Sequence, residues 1–218
     1  MSADIVLNLW KKNLGSIPGD VWNDADVTVL ILADNALTAL PPQIGQLPRL
    51  RTLDLGHNQL NRLPEELGSL SELRDFLYLH DNLLDSLPRS LRGLRKLRYL
   101  NISENRFSLF PDEVCGMIGL VELRATDNQL SDLPPSIAAL SQLRELHLRN
   151  NRIRTLPATI GTLAELRQID LRGNPVETLP ESILNLPKLE KLDLRWVENF
   201  RAPACLDALE ARGCLVYR

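Results

Sequence analysis

The chain has 218 residues, a formal net charge of −3 and a sequence pI near 5.7, with 24% charged, 44% hydrophobic and only 5% aromatic residues. That balance excludes a general nucleic-acid or anionic-membrane binder, which needs a concentrated basic field, and no run of about 18 apolar residues is available to span a bilayer. Three cysteines, Cys115, Cys205 and Cys214, are an odd number without metal-site spacing, so a reducing, cytoplasmic setting is expected. The first ten residues, Met1 to Trp10, lack a basic segment ahead of an apolar one, so no secretory signal is expected.

From there the chain reads as one unit repeated. A Leu-x-Leu triplet or close relative begins at Leu7, Leu30, Leu53, Leu77, Leu100, Leu123, Leu146, Ile169 and Leu192, 23 residues apart except for 24 between Leu53 and Leu77. In phase with it run Pro18, Pro41, Pro64, Pro88, Pro111, Pro134, Pro157 and Pro180, and also Asn35, Asn58, Asn82, Asn105, Asn128, Asn151 and Asn174. A fixed period of this size marks a solenoid. Each triplet alternates apolar and polar residues and predicts a short strand with its leucines inward. Strands one period apart must run parallel, because each returns by a crossover. The asparagine at the following bend is expected to be buried, its amide satisfying backbone groups of its own and the next turn. The proline suits an extended start to the return path, where a missing N–H costs little. The extra residue of the longer unit falls within Arg74-Asp75-Phe76, where a bulge is expected to re-aim Phe76.

The ends depart from the pattern. Residues 1–27 read as an N-terminal capping repeat, with Lys12 at the asparagine position and Trp10 and Trp22 concentrated there. Residues 28–196 hold the regular units. In 197–218, Val197 replaces the asparagine, Pro203 stays in phase, and Ala204 to Arg212 reads as a helix stopped by Gly213. Leu215-Val216-Tyr217 then falls 23 residues after Leu192, as a tenth strand. Terminal units must hide the open core, so a single domain over 1–218 is expected.

The unit Leu-Thr-Ala-Leu-Pro-Pro-Gln-Ile-Gly-Gln-Leu-Pro-Arg-Leu-Arg-Thr-Leu-Asp-Leu-Gly-His-Asn-Gln-Leu, residues 37–60, resembles the 23-residue class of leucine-rich repeats. That class occurs in Ras-suppressor-like proteins, plant intracellular Ras-group-related proteins and many bacterial proteins. The resemblance covers almost the whole chain. It implies an α/β repeat solenoid: a horseshoe with a parallel concave β-sheet of about ten strands, an irregular or 3₁₀ convex side and a short C-terminal capping helix. Its motif residues are all core, so it implies little about function. Cys205-Leu206-Asp207 is similar to the Cys-x-Asp element of bacterial ubiquitin ligases that carry such repeats. Only 13 residues follow Cys205, and no histidine is near in sequence, so no catalytic residue is expected.

The phase also enumerates the concave surface. Phe76, Tyr78 and Tyr99 fall on neighbouring strands, with Val29 and Ile31 two strands away, and exposed aromatics on a rigid sheet are interface anchors. Asp54, His80 and Arg124 flank them. A second zone stacks Arg149, Arg172 and Arg195 in one column. Glu122, Glu145, Asp170 and Asp193 lie in adjacent columns, so a solvated lattice of lateral ion pairs is expected there. All three histidines, His57, His80 and His147, take concave positions. His57 and His80, with Asp54 and Asp81 nearby, offer imidazoles to a metal, but without a fixed second shell they make a weak site. No metal, cofactor, nucleic acid or membrane partner is expected. The expected function is a non-enzymatic, monomeric adaptor binding one protein on its concave face through Ile31, Asp54, Phe76, Tyr78, His80, Tyr99, Arg124, His147, Arg149 and Arg172. Two alternatives use the same face: a bacterial effector secreted into a host cell without a classical signal peptide, and the recognition subunit of an enzyme complex.

Overall fold

A computed structural model describes residues 4–198, 200–201 and 204–218. The in-phase Pro203 lies outside the described residues. Three-residue strands recur at each Leu-x-Leu: β1 (Val6–Asn8), β2 (Val29–Ile31), β3 (Thr52–Asp54), β4 (Phe76–Tyr78), β5 (Tyr99–Asn101), β6 (Glu122–Arg124), β7 (Glu145–His147), β8 (Gln168–Asp170), β9 (Lys191–Asp193) and β10 (Leu215–Tyr217). They form one open parallel sheet in sequence order, each pairing only with its neighbours in the chain. The extra residue before β4 leaves the ladder untouched: Thr52, Leu53 and Asp54 pair in step with Phe76, Leu77 and Tyr78. The expected bulge is therefore absent from the strand. The surplus is taken up ahead of it by a bend at Asp75, whose N–H still reaches the Arg51 carbonyl at 3.0 Å.

The return path runs through five-residue 3₁₀ segments, from Gly19–Asn23 to Glu181–Asn185. Each opens on one of the phased prolines in extended backbone, for example Pro64 at φ −76° and ψ 150°. Proline cannot donate, but its carbonyl accepts the N–H three residues on, as Pro64 does from Leu67 at 3.2 Å. Leu53, Leu55, Leu60, Leu67 and Leu73 of that coil are fully buried, and their counterparts in other coils stack on them in one continuous core. Successive coils pack so closely on the convex side that a Cβ on Gly161 would lie 2.2 Å from the Ser182 carbonyl oxygen.

The seven asparagines are buried, and their bonds run backward. Asn58 Nδ2 donates to the carbonyls of Leu55 and Gly56 in its own turn and of Leu32 in the preceding one, while Oδ1 accepts the Leu37 N–H at 2.9 Å. Each amide thus ties its coil to the one before it, which corrects the expected link to the next turn. The residue just before each asparagine is left-handed: Asp34, His57, Asp81, Glu104, Asp127, Asn150 and Gly173 have φ between 50° and 66°. Six of the seven are Asp, Asn, His or Gly, the residue types that enter this region at least cost, so local preference and the ladder agree, with Glu104 the exception.

The C-terminal end is closed by α1 (Ala204–Ala211), which buries Leu206 and Leu209. Gly213, at φ 89°, ends it: its N–H reaches Glu210, and the Cys214 N–H reaches Leu209 at 3.1 Å, the paired bonds of a Schellman motif. The N-terminal unit covers less. Trp22 is buried, but Trp10 is exposed, and Leu7, Leu9, Leu14 and Ile17 are only half-buried. No helix among the described residues is long and apolar enough to cross a membrane.

Candidate protein-binding surface

The strands place alternate side chains on the concave face, and three adjacent aromatic residues meet there. The rings of Phe76 and Tyr78 lie 5.9 Å apart and nearly parallel, that of Tyr99 sits 5.5 Å from Phe76 and 5.0 Å from Tyr78, and His80 continues the row 6.1 Å from Tyr78. Phe76 is 43% exposed, whereas Tyr78 and Tyr99 are half-buried against it. Burial is the main cause that raises both phenols, that of Tyr99 to about 12, so both stay protonated donors at neutral pH. Beside them an open pocket of about 310 Å³ is lined by Asp75, Phe76, Arg98, Tyr99, Val121 and Glu122.

The flanking residues are more constrained than their columns suggest. Ile31 is half-buried on β2. Asp54 is half-buried, and one of its oxygens accepts the Gly56 N–H at 2.9 Å. Asn8, Asn101, Asp170 and Asp193 bond the N–H two residues on in the same way, so this acidic or amide column ends strands with Asx turns. Arg124 is exposed, with Nε 2.6 Å from Glu122. His147 is not available as a contact residue: it is only 9% exposed, and its Nε2 lies 3.1 Å from Glu145 and 3.8 Å from Glu122. Glu122, Glu145 and His147 form the one His–carboxylate group of three found among the described residues with ligand atoms within 4.8 Å of one another. In sequence the two glutamates stand out only as neighbours of the arginine column, which hides this grouping.

The arginine column is paired, through Asp170 and Asp193 as expected and through Asp127 in place of Glu122 and Glu145, and two of the three acids are buried rather than solvated. Arg172 forks onto Asp170 at 2.9 and 2.6 Å, Arg195 onto Asp193 at 3.0 and 2.7 Å, and Arg149 reaches Asp127 at 3.0 Å. Asp170 and Asp193 are 4% and 1% exposed. Burial alone would raise Asp193, but the hydrogen bonds and charge of Arg195, with Arg172 behind, hold its carboxyl below the usual value. Two aromatic residues lie against the same arginines. Trp196 stands 5.7 Å from the Arg172 guanidinium and 5.9 Å from that of Arg195, and Tyr217 on β10 lies 5.1 Å from Arg195 and 5.6 Å from the Lys191 ammonium. The sequence signal for this contact is Tyr217 falling in phase with Asp193 on the last strand. Cys115, Cys205 and Cys214 are buried free thiols pushed up mainly by burial, the opposite of an activated nucleophile.

Family models agree with this architecture. Those described as "Leucine rich repeat" match residues 6–60 and 25–77, "Leucine Rich Repeat" matches 96–117, and "Leucine-rich repeat region" matches 134–211. No curated protein matches the chain by sequence. Among solved structures it is similar to a leucine-rich-repeat protein of Leptospira interrogans, with 27% identity, a TM-score of 0.74, and 94% of this chain and 64% of that one covered. It is also similar to the leucine-rich-repeat ectodomain of the Arabidopsis thaliana receptor kinase GASSHO1/SCHENGEN3, solved in complex with CASPARIAN STRIP INTEGRITY FACTOR 2. There the identity is 32% and the TM-score 0.76, over 87% of this chain and 24% of the other. The plant peptide hormone receptor RGFR1, solved with RGF2, gives 32%, 0.75, 87% and 32%. The chain therefore spans just under two thirds of the Leptospira protein and a quarter to a third of the plant receptors. It belongs to the leucine-rich-repeat proteins.

Proposed function

We propose that this chain is a non-enzymatic binding module that holds a protein or peptide partner on its concave face, with Phe76, Tyr78 and Tyr99 as anchors. The observation that carries the reading is the packed triangle of rings. In a chain with 5% aromatics, three meet on the concave sheet, and the 43% exposed Phe76 caps them. A rigid sheet pays little ordering cost on binding, and desolvating a few aromatic anchors supplies most of the affinity. Two structural neighbours, at 32% identity, are receptors solved in complex with CASPARIAN STRIP INTEGRITY FACTOR 2 and with RGF2, the second a peptide hormone receptor, which supports a protein or peptide as the occupant. Arg124 and Asp54 would set orientation at the rim, and Arg149 and Arg172, already paired, would tune the approach of charge rather than anchor it. His147 drops out of the contact set because of its burial. We further propose that the module works as a monomer in a reducing compartment, a setting in which its three buried free thiols stay reduced.

The test is affinity capture with the wild-type chain and a Tyr78→Ala, Tyr99→Ala double variant in parallel, read by quantitative mass spectrometry. A protein or peptide retained by the wild type and lost by the folded double variant supports the reading. Equal capture by both overturns it.

A further inference from the structure

The left-handed turn position after β3 carries His57 and the same position one coil later carries Asp81, while His80, just before Asp81, is in register with Gly56. A Cβ on Gly56 would sit 2.3 Å from His80 Cε1 and 2.8 Å from Nδ1, so a glycine is what lets the His80 ring lie on this backbone. The two imidazoles then meet edge to face, with centroids 4.7 Å apart at 81° and Nε2 atoms 3.3 Å apart. Two imidazoles bound to one tetrahedral zinc at about 2.0–2.1 Å hold their nitrogens about 3.4 Å apart. The observed separation is the bite of a single ion.

One half of the second shell that the sequence left open is present, for His57, whereas the buried Nδ1 of His80 has no hydrogen-bond partner. His57 Nδ1 lies 2.6 Å from Asp81 Oδ2, the carboxylate–imidazole contact that fixes a ligating tautomer and leaves Nε2 with its lone pair free. His57 and Asp81 are exposed, so further coordination positions open to solvent. We propose that His57 and His80 form an open two-imidazole site for a borderline divalent transition metal, Zn²⁺ above all, shaped by Gly56 and oriented by Asp81. The site adjoins the aromatic anchors, with the His80 ring 6.1 Å from that of Tyr78, but its metal binding is read without any partner. The other His–carboxylate group is a poorer candidate, because the Arg124 guanidinium, 2.6 Å from Glu122, already supplies its cation.

The test titrates the full chain with Co²⁺, followed by visible absorption, and with Zn²⁺, followed by calorimetry; far-UV circular dichroism checks that each variant is folded. One equivalent is expected to bind the wild type. Binding is expected to be lost in His57→Ala and in His80→Ala and retained in His147→Ala. It should fall about ten-fold or more in Asp81→Asn. Gly56→Ala, which keeps both histidines but displaces the His80 ring, should also weaken uptake. No metal uptake by the wild type would reduce the pair to an imidazole–imidazole hydrogen bond and overturn the proposal. So would uptake that survives both single histidine substitutions or vanishes with His147→Ala.

Discussion

Replacing Asn128 with alanine isolates what one member of the asparagine column contributes. Its Oδ1 accepts the Phe107 N–H at 3.1 Å, and its Nδ2 donates to the carbonyls of Ile102 at 3.0 Å, Thr126 at 3.1 Å and Ala125 at 3.5 Å. Alanine removes all four bonds, but the losses are unequal, and the Ala125 carbonyl keeps Asn151 Nδ2 at 2.8 Å. The Ile102 carbonyl keeps Asn105 Nδ2 at 3.2 Å, and the Thr126 carbonyl keeps the Glu104 N–H at 2.9 Å. The Phe107 N–H has no other partner, and Phe107 is fully buried. One orphaned buried donor therefore dominates, at about 1–3 kcal/mol. Asn128→Asp should cost at least as much, because it keeps the acceptor but sets an oxygen against the three carbonyls that Nδ2 had bonded. Urea denaturation at 25 °C would read both, with the exposed neighbour Gln129→Ala as control, expected within about 0.5 kcal/mol of wild type. If Asn128→Ala unfolds at the same midpoint as Gln129→Ala, the asparagine column is not what ties the coils together.

Two further outcomes follow from other parts of the solenoid. The folded-state carboxyl of Asp193 is held below its unfolded value, so its stabilisation is complete above about pH 4 and is lost as pH falls through the lower folded value. Thermal midpoints measured between pH 7 and pH 2 should fall less steeply for Asp193→Asn than for wild type, from a lower starting value; parallel curves would refute the buried pair. Gly161→Ala should lose about 1–3 kcal/mol in chemical denaturation, because its Cβ meets the Ser182 backbone at 2.2 Å. Gly93→Ala, whose Cβ meets only an oxygen at 3.8 Å, should be neutral or better; equal effects would refute close convex packing.

The fold was legible because the period is carried by residues whose roles are purely structural. Leucines set the strands, prolines the start of each return, and asparagines the bend, and each falls where the phase puts it. What the phase could not convey was how side chains on the same face cover one another. Asp170 and Asp193 occupy an outward column, yet Trp196 and Tyr217 stand against the arginines that pair with them, and the acids end up buried. His147 is likewise outward by count but lies against Glu122 and Glu145. The extra residue before β4 looked like a strand bulge because sequence spacing cannot show where a loop absorbs slack. The phase brought His57, His80 and Asp81 together, but not the orientation of their rings, which depends on a left-handed turn and on the room that Gly56 leaves. The aromatic cluster was readable because rare residues on adjacent strands can hardly avoid each other at strand spacing.

The central claim is that a partner is held by the concave rings, and the affinity of the captured partner for Tyr99→Ala tests it most directly. Tyr99 contacts both other rings, at 5.5 and 5.0 Å, so its removal opens the anchor without touching the leucine core. The dissociation constant should rise about 30-fold or more, equivalent to about 2 kcal/mol, with the thermal midpoint close to wild type. The convex control Glu113→Ala should bind as wild type does. An unchanged constant for Tyr99→Ala, or a loss confined to Glu113→Ala, would contradict the account.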